Sequence, residues 1–202
     1  MSVINYYGHI FESPITAIMK EVRIGKLFED VICTRFDTNE LEDGPYPIIS
    51  SSSRNNGVMG YCNKYSIDAS NEPHITVAGT TGGYCFVQNN KFSMLNHHTG
   101  DLVIKLKKEY SHLENYLGML SYLMTEKFTK IYSYSFVLNK ERLMKETISL
   151  PVIVRGIDED TMKKLSNGMI TLDEITNSGK NKDYTYEINE NLLNNFVYTM
   201  MM

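Results

Sequence analysis

Three stretches of this chain concentrate the side chains that could do chemistry. Ser51, Ser52, Ser53, Arg54, Asn55 and Asn56 stand between the apolar segment YPII and GVMGY. Thr80 and Thr81 lie inside GTTGG, residues 79–83. Lys130, Ser133, Tyr134, Ser135 and Arg142 belong to a basic and aromatic stretch that also holds Lys127, Tyr132, Lys140 and Lys145. Together with Lys91 these groups are hydroxyls, amides, phenols and cations. Hydroxyls, amides and guanidinium groups match the hydrogen-bonding edges of nucleobases, cations meet phosphates, and tyrosine can stack. The same composition fits a solvated helix face beside a polar loop, and periodicity alone does not separate the two readings.

Other chemistries find less support. GTTGG lacks the GK[ST] ending and following helix of a phosphate-binding loop, so a tight hairpin turn is expected; amides and threonine hydroxyls meeting a phosphate are the alternative. His97 and His98 with Asp101 could be read as metal ligands, but neighbouring residues on a strand point to opposite sides. No further ligand stands at a recognisable spacing, so no metal is expected. There is no GxSxG elbow and no cysteine beside a base, which leaves no catalytic residue to assign, no cofactor and no enzyme. Cys33, Cys62 and Cys85 are odd in number and far apart, as buried free thiols would be.

These groups need a scaffold, and the chain has the means for one. At 202 residues with 42% hydrophobic content it can bury a real core. The formal net charge of −4 argues against indiscriminate binding to polyanions, because phosphate affinity rests on lysine and arginine. No run reaches the roughly 18 to 20 apolar residues of a membrane span, and MSVINYYGHIFESP lacks a secretory pattern; a soluble, cytoplasmic protein without membrane contact is expected. EVRIGKLFEDVIC offers Val22, Ile24, Leu27, Phe28 and Val31 to a core. Strands are expected at 46–50, in GVMGYC and in DLVIKLK, and HITVAGTTGGYCFVQNNKFSML reads as a three-stranded meander. Leu113, Tyr116, Leu117, Leu120, Leu123 and Met124 recur at helical spacing. A short helix over NKERLMK leads to a strand ending at Pro151, and a terminal helix is expected around 192–198. The three parts are a leader or short helix at 1–20, a domain at 21–152 and an accessory segment at 153–202.

The order of LFEDV, PYPIISSSSRNNGVMGY, ITVAGTTGGYCFVQNNKF, a helix and KIYSYSFVLNKERLMKETISLPV resembles the target-recognition domain of restriction-modification specificity subunits, in the type I and BcgI-like branch. The resemblance spans residues 21–152 and rests on the order of the motifs. It implies an α+β domain with a curved, mostly antiparallel sheet and flanking helices. It also implies sequence-specific binding of double-stranded DNA, no chemistry of its own, and direction of partner methyltransferase and restriction subunits. By this likeness Ser51–Asn56, Thr80, Thr81, Lys130, Ser133, Tyr134, Ser135 and Arg142 face DNA. Asn55, Asn56, Gly57, Gly60 and Tyr61 serve as framework, and Arg54 is the candidate base reader. Full specificity subunits carry two such domains separated by long helices, whereas here one domain is followed by no sustained heptad repeat. Assembly as a homo-oligomer therefore stays open, as does a viral or mobile-element scaffold turned to binding protein.

Overall fold

A computed structural model of the protein describes residues 4–6, 15–96, 100–167, 169, 174 and 185–201. His97 and His98 lie outside the described residues, as does most of the expected leader. In chain order the described elements are β1 (Ile4–Tyr6), β2 (Ile15–Arg23), α1 (Ile24–Leu27), β3 (Phe28–Asp30), β4 (Tyr46–Ile49), β5 (Val58–Cys62), β6 (Ile67–Asp68), β7 (His74–Ala78), β8 (Tyr84–Gln88), β9 (Lys91–Met94) and β10 (Asp101–Leu106). They continue as α2 (Leu117–Phe128), α3 (Lys140–Lys145), β11 (Thr147–Arg155), α4 (Glu159–Ser166), β12 (Thr185–Glu187) and α5 (Glu190–Met201). This is a mixed α+β fold with largely antiparallel pairing, its described strands shared among three four-stranded sheets.

The chain divides into two compact units, Arg23–Ile148 and a second made of Met1–Val22 with Ser149–Met202. In the larger unit one sheet runs in the order β3, β10, β7, β8. All five residues of β7, HITVA, are buried, as a central strand covered on both faces requires. Val77 stands opposite Leu102 of β10 on one side and Cys85 of β8 on the other. Helix α2 lies against β8, and the Cys85 amide donates to Thr125 Oγ1 on that helix at 2.9 Å.

The other sheet of this unit has the order β5, β4, β9, β6. Strand β9 does not continue a meander from β8. It pairs parallel to β4, with Ile48 opposite Ser93, and antiparallel to β6. Burial explains the departure: Phe92, Ser93 and Met94 are fully buried, so β9 needs a neighbour on each edge and cover on each face. Ile49, Ile67, Ala69, Phe92 and Met94 pack with Val103 of β10, and Val31, Cys33 and Val58 close the cluster. The two sheets thus share one core. A 3-10 turn over Lys108–Tyr116 precedes α2, so the apolar spacing seen from Leu113 begins in that turn.

The second unit holds the sheet β1, β2, β11, β12. Strand β11 does not stop at Pro151 but runs to Arg155, with Leu150, Val152, Ile153 and Val154 buried. Val154 pairs with Tyr186 of β12, and the Lys20 ammonium lies 5.0 Å from the centre of the Tyr186 ring. Leu165, Ile188 and Leu193 supply buried apolar groups from the C-terminal part.

GTTGG forms the turn of the β7–β8 hairpin, and Gly83 has a left-handed φ of +76°. A Cβ on Gly83 would lie 2.7 Å from Phe128 Cβ and 3.0 Å from Leu138 Cδ2. Gly83→Ala is therefore expected to cost about 2–4 kcal/mol, from backbone strain and overpacking together. Urea unfolding at constant slope measures it; a loss below about 1 kcal/mol would mean that α2 yields at this contact.

Candidate nucleic-acid interface

Strand β4 ends at Ile49, and the polar loop that follows is closed by its own backbone. The Ser50 amide donates to Gly57 O at 2.9 Å, the Ser52 amide to Ser50 O at 2.7 Å and the Gly57 amide to Arg54 O at 2.9 Å. Asn55, Asn56 and Gly57 are all left-handed, with φ of 50°, 52° and 77°. Asparagine tolerates that region better than other residues with a Cβ, which accounts for NNG here. The Asn55 amide donates to Val58 O at 3.2 Å. Asn56 Nδ2 donates to Val87 O and Gln88 Oε1, both at 3.3 Å, while Gln88 Nε2 donates back to Asn56 O at 3.1 Å. Buried Gln88 also donates to Thr76 Oγ1, so the loop is fastened to the open end of the β7–β8 hairpin.

The loop's other residues divide into inward and outward groups. The Ser51 hydroxyl turns inward, donating to Asp101 Oδ1 and accepting from Thr80 Oγ1. Ser53 and Arg54 are exposed, and Ser52 holds the Arg54 backbone by accepting from its amide at 3.1 Å and donating to its carbonyl at 3.2 Å. Among the described residues the Arg54 guanidinium has no hydrogen-bond or ion-pair partner.

Turn 79–83 lies beside the Tyr-Ser stretch. The Leu138 amide donates to Gly79 O at 3.0 Å, and a Cβ on Gly82 would come 3.4 Å from Tyr132 O. Ser133 and Phe136 exchange backbone hydrogen bonds of 3.2 and 3.1 Å, making a tight two-residue hairpin that presents Tyr134, 86% exposed, with Ser135. Beneath its tip the Tyr132 and Phe136 rings stack with centroids 5.3 Å apart and planes 7° apart. The Arg142 guanidinium covers Phe136 at 4.3 Å and donates to Val137 O, and the Tyr132 hydroxyl donates to Glu146 at 2.6 Å.

The three stretches singled out from the sequence therefore meet at one edge of the larger unit. Ser51 joins the loop to the turn, and Leu138 joins the turn to the aromatic stretch. Ser53, Arg54, Thr81, Tyr134 and Ser135 turn their side chains to solvent. Ser51, Asn55, Asn56 and Thr80 spend polar atoms on the scaffold. Lys130 pairs with Glu126 at 3.3 Å, Lys140 with Asp30 at 2.8 Å and Lys145 with Glu141 at 2.6 Å.

Sequence reasoning passed over Asp101, Arg35 and Gln88 as parts of this edge. Asp101 opens the apolar strand DLVIKL, an acid placed where a core residue is expected, and that mismatch is the signal that could have found it. It is only 2% exposed. Arg35 donates to Asp101 O at 2.6 Å and to Leu95 O at 3.3 Å. Burial pushes the Asp101 carboxyl up to about 6, against the opposing effects of the Ser51 hydrogen bond and the Arg35 charge. Among the described residues no cluster of three or more histidine, cysteine or acidic side chains is placed to hold a metal ion.

The sequence model of the family described as type I restriction modification DNA specificity domain matches residues 18–183, well over half of the chain. Among solved structures, the type I restriction-modification system S subunit from M. genitalium is similar over 79% of this chain, at 15% identity and a TM-score of 0.42. The match spans 40% of that subunit's length. No curated protein sequence matches the chain.

The buried acid sets a pH dependence. Its folded value lies above the ordinary 3.8, so between about pH 4 and 6 the folded state holds a proton that the unfolded state has lost. Stability from this group is present below that window and lost as pH rises through it. Moving a carboxyl from 3.8 to about 6 corresponds to roughly 3 kcal/mol. Denaturant unfolding of wild type and Asp101→Asn across pH 4–7.5 should show wild type losing up to that much relative to the variant, and parallel curves would remove the buried charge from the account.

Proposed function

The chain belongs to the type I restriction modification DNA specificity domain family, and on that premise we propose that its larger unit reads a target sequence in double-stranded DNA. The observation that carries the reading is the single edge built by loop 51–57, turn 79–83 and the Tyr134 hairpin. Its outward side chains are a guanidinium without an internal partner, small hydroxyls and an exposed phenol. Arginine bidentate to guanine and serine or threonine to either partner of a base pair are the contacts that discriminate bases in the major groove. Asn55, Asn56 and Ser51 act in this reading by fixing the loop, and lysines such as Lys130 would meet phosphates by exchanging carboxylate partners.

The proposed role is non-catalytic and needs no cofactor: the bound domain directs methyltransferase and restriction subunits to its site, in the cytoplasm where the DNA is. A second reading, a scaffold of this family turned to protein binding or assembly, is favoured by the internal pairing of Lys130, Lys140 and Lys145 and by Ile32, which is 90% exposed. Recovery of a stable protein partner together with no enriched site from random duplexes would support that second reading.

Selection from a random duplex pool should enrich one sequence, and its affinity should fall steeply as salt rises, since each phosphate contact releases counterions. Arg54→Ala should weaken binding by about 1–3 kcal/mol and relax preference at one base pair. Binding indifferent to salt and to this substitution would defeat the proposal.

A further inference from the structure

Among the described residues two buried side-chain atoms lack a hydrogen-bond partner, Ser93 Oγ in β9 and Asp101 Oδ2 at the edge built by the loop and the turn. Thr80 donates to Ser51, and Ser51 donates to Asp101 Oδ1, but Asp101 Oδ2 is buried and has no hydrogen-bond partner. An ionised carboxylate seeks several donors, and this one has a single hydroxyl. The groups around it are few. Loop 51–57 offers Ser51, turn 79–81 offers Thr80, and β7 places Ala78 opposite. Arg35 is the charged group that faces it, and its guanidinium bonds to the carbonyl oxygens of Asp101 and Leu95. Its charge offsets the burial only in part, which is why the carboxyl remains raised.

We propose that Asp101 is the positioning residue of this edge, and that DNA binding is linked to the protonation of its carboxyl, the neutral acid favouring the complex and the ionised acid opposing it. The proposal rests on the DNA reading above and adds a regulation to the same site. Asp101 holds the Ser51 hydroxyl, which in turn accepts from Thr80, so the loop and the turn keep their relative place through that chain, and Arg54 follows Ser51 by three residues. A duplex seated on Arg54 brings phosphate charge toward a carboxyl that water screens poorly. The nearby anion raises the cost of ionising Asp101, so binding draws a proton onto it. By reciprocity, a proton already on Asp101 tightens binding by the same factor. No bond is made or broken beyond that proton's transfer from solvent to Oδ2.

The test is the affinity of the full chain for its selected duplex, measured by fluorescence anisotropy at constant ionic strength from pH 5 to 8. Wild type should weaken about three- to tenfold as Asp101 ionises. Asp101→Asn should lack that step. Ser51→Ala should move the step to higher pH, because the Ser51 hydrogen bond holds the carboxyl down. A purely structural part for Asp101 would change affinity equally at every pH. Superimposable profiles for wild type and Asp101→Asn would overturn the inference, and an unmoved midpoint in Ser51→Ala would do so even if the asparagine variant failed to fold. Absence of binding to any duplex at any pH would sink the DNA reading as well, whereas binding with a profile independent of Asp101 sinks this inference alone.

Discussion

Backbone meets backbone at Gly79. A methyl group there would collide with the carbonyl oxygens of Gly100 and Leu138, and one on Gly100 would collide with Thr80 Cγ2. The absence of side chains at these two positions lets three segments far apart in sequence converge on one point: the end of β7, the approach to β10 and the exit of the Tyr-Ser stretch. The rest of the edge hangs on this convergence. Thr80 reaches Ser51 because the turn is pressed against Gly100, and Asp101 lies under the loop because it follows Gly100 directly. The Tyr134 hairpin stands beside the turn because Leu138 donates to Gly79. Glycine is costly in flexible chains, and it persists where, as here, a close approach leaves room for nothing else.

Much of this arrangement was legible in the sequence, because the turn residues and the apolar alternation follow local rules. GTTGG announces a tight turn, and HITVAGTTGGYCFVQ announces a strand on each side of it. The partners were not legible. Strand β9 looks like the third strand of a meander, and only the burial of both its faces explains why it crosses to lie parallel to β4. Pro151 reads as a strand end, yet β11 runs past it. The inward turn of Ser51 was hidden for the same reason: four serines in a row are alike in composition, and only the three-dimensional position of Asp101 distinguishes one of them.

The electrostatics of the edge follow from economy rather than abundance. The chain has 20 basic and 24 acidic residues, and several of its cations near the Tyr-Ser stretch are committed to neighbouring carboxylates. Such exposed pairs are worth little each, so an incoming phosphate can displace a carboxylate at small expense. If this edge meets DNA as proposed, such a surface would hold unselected DNA weakly and leave discrimination to a few well-held contacts. The packing beneath Tyr134 would serve the same end: its hairpin rests on the Tyr132–Phe136 stack, covered by Arg142, and would lose little freedom on engagement.

Asn56 and Gly57 carry a chemical consequence of their own. An asparagine followed by glycine is the dipeptide most open to succinimide formation, since the glycine nitrogen can attack the side-chain amide with little hindrance. In the folded loop both reactants are occupied: the Gly57 nitrogen donates to Arg54 O, and the Asn56 amide is held by Val87 and Gln88. Unfolding frees both at once. The chemical lifetime of loop 51–57 is thereby tied to the folding equilibrium, and a molecule that has aged into aspartate at this position has lost the donor that fastens the loop to β8 and gained a negative charge beside Gln88.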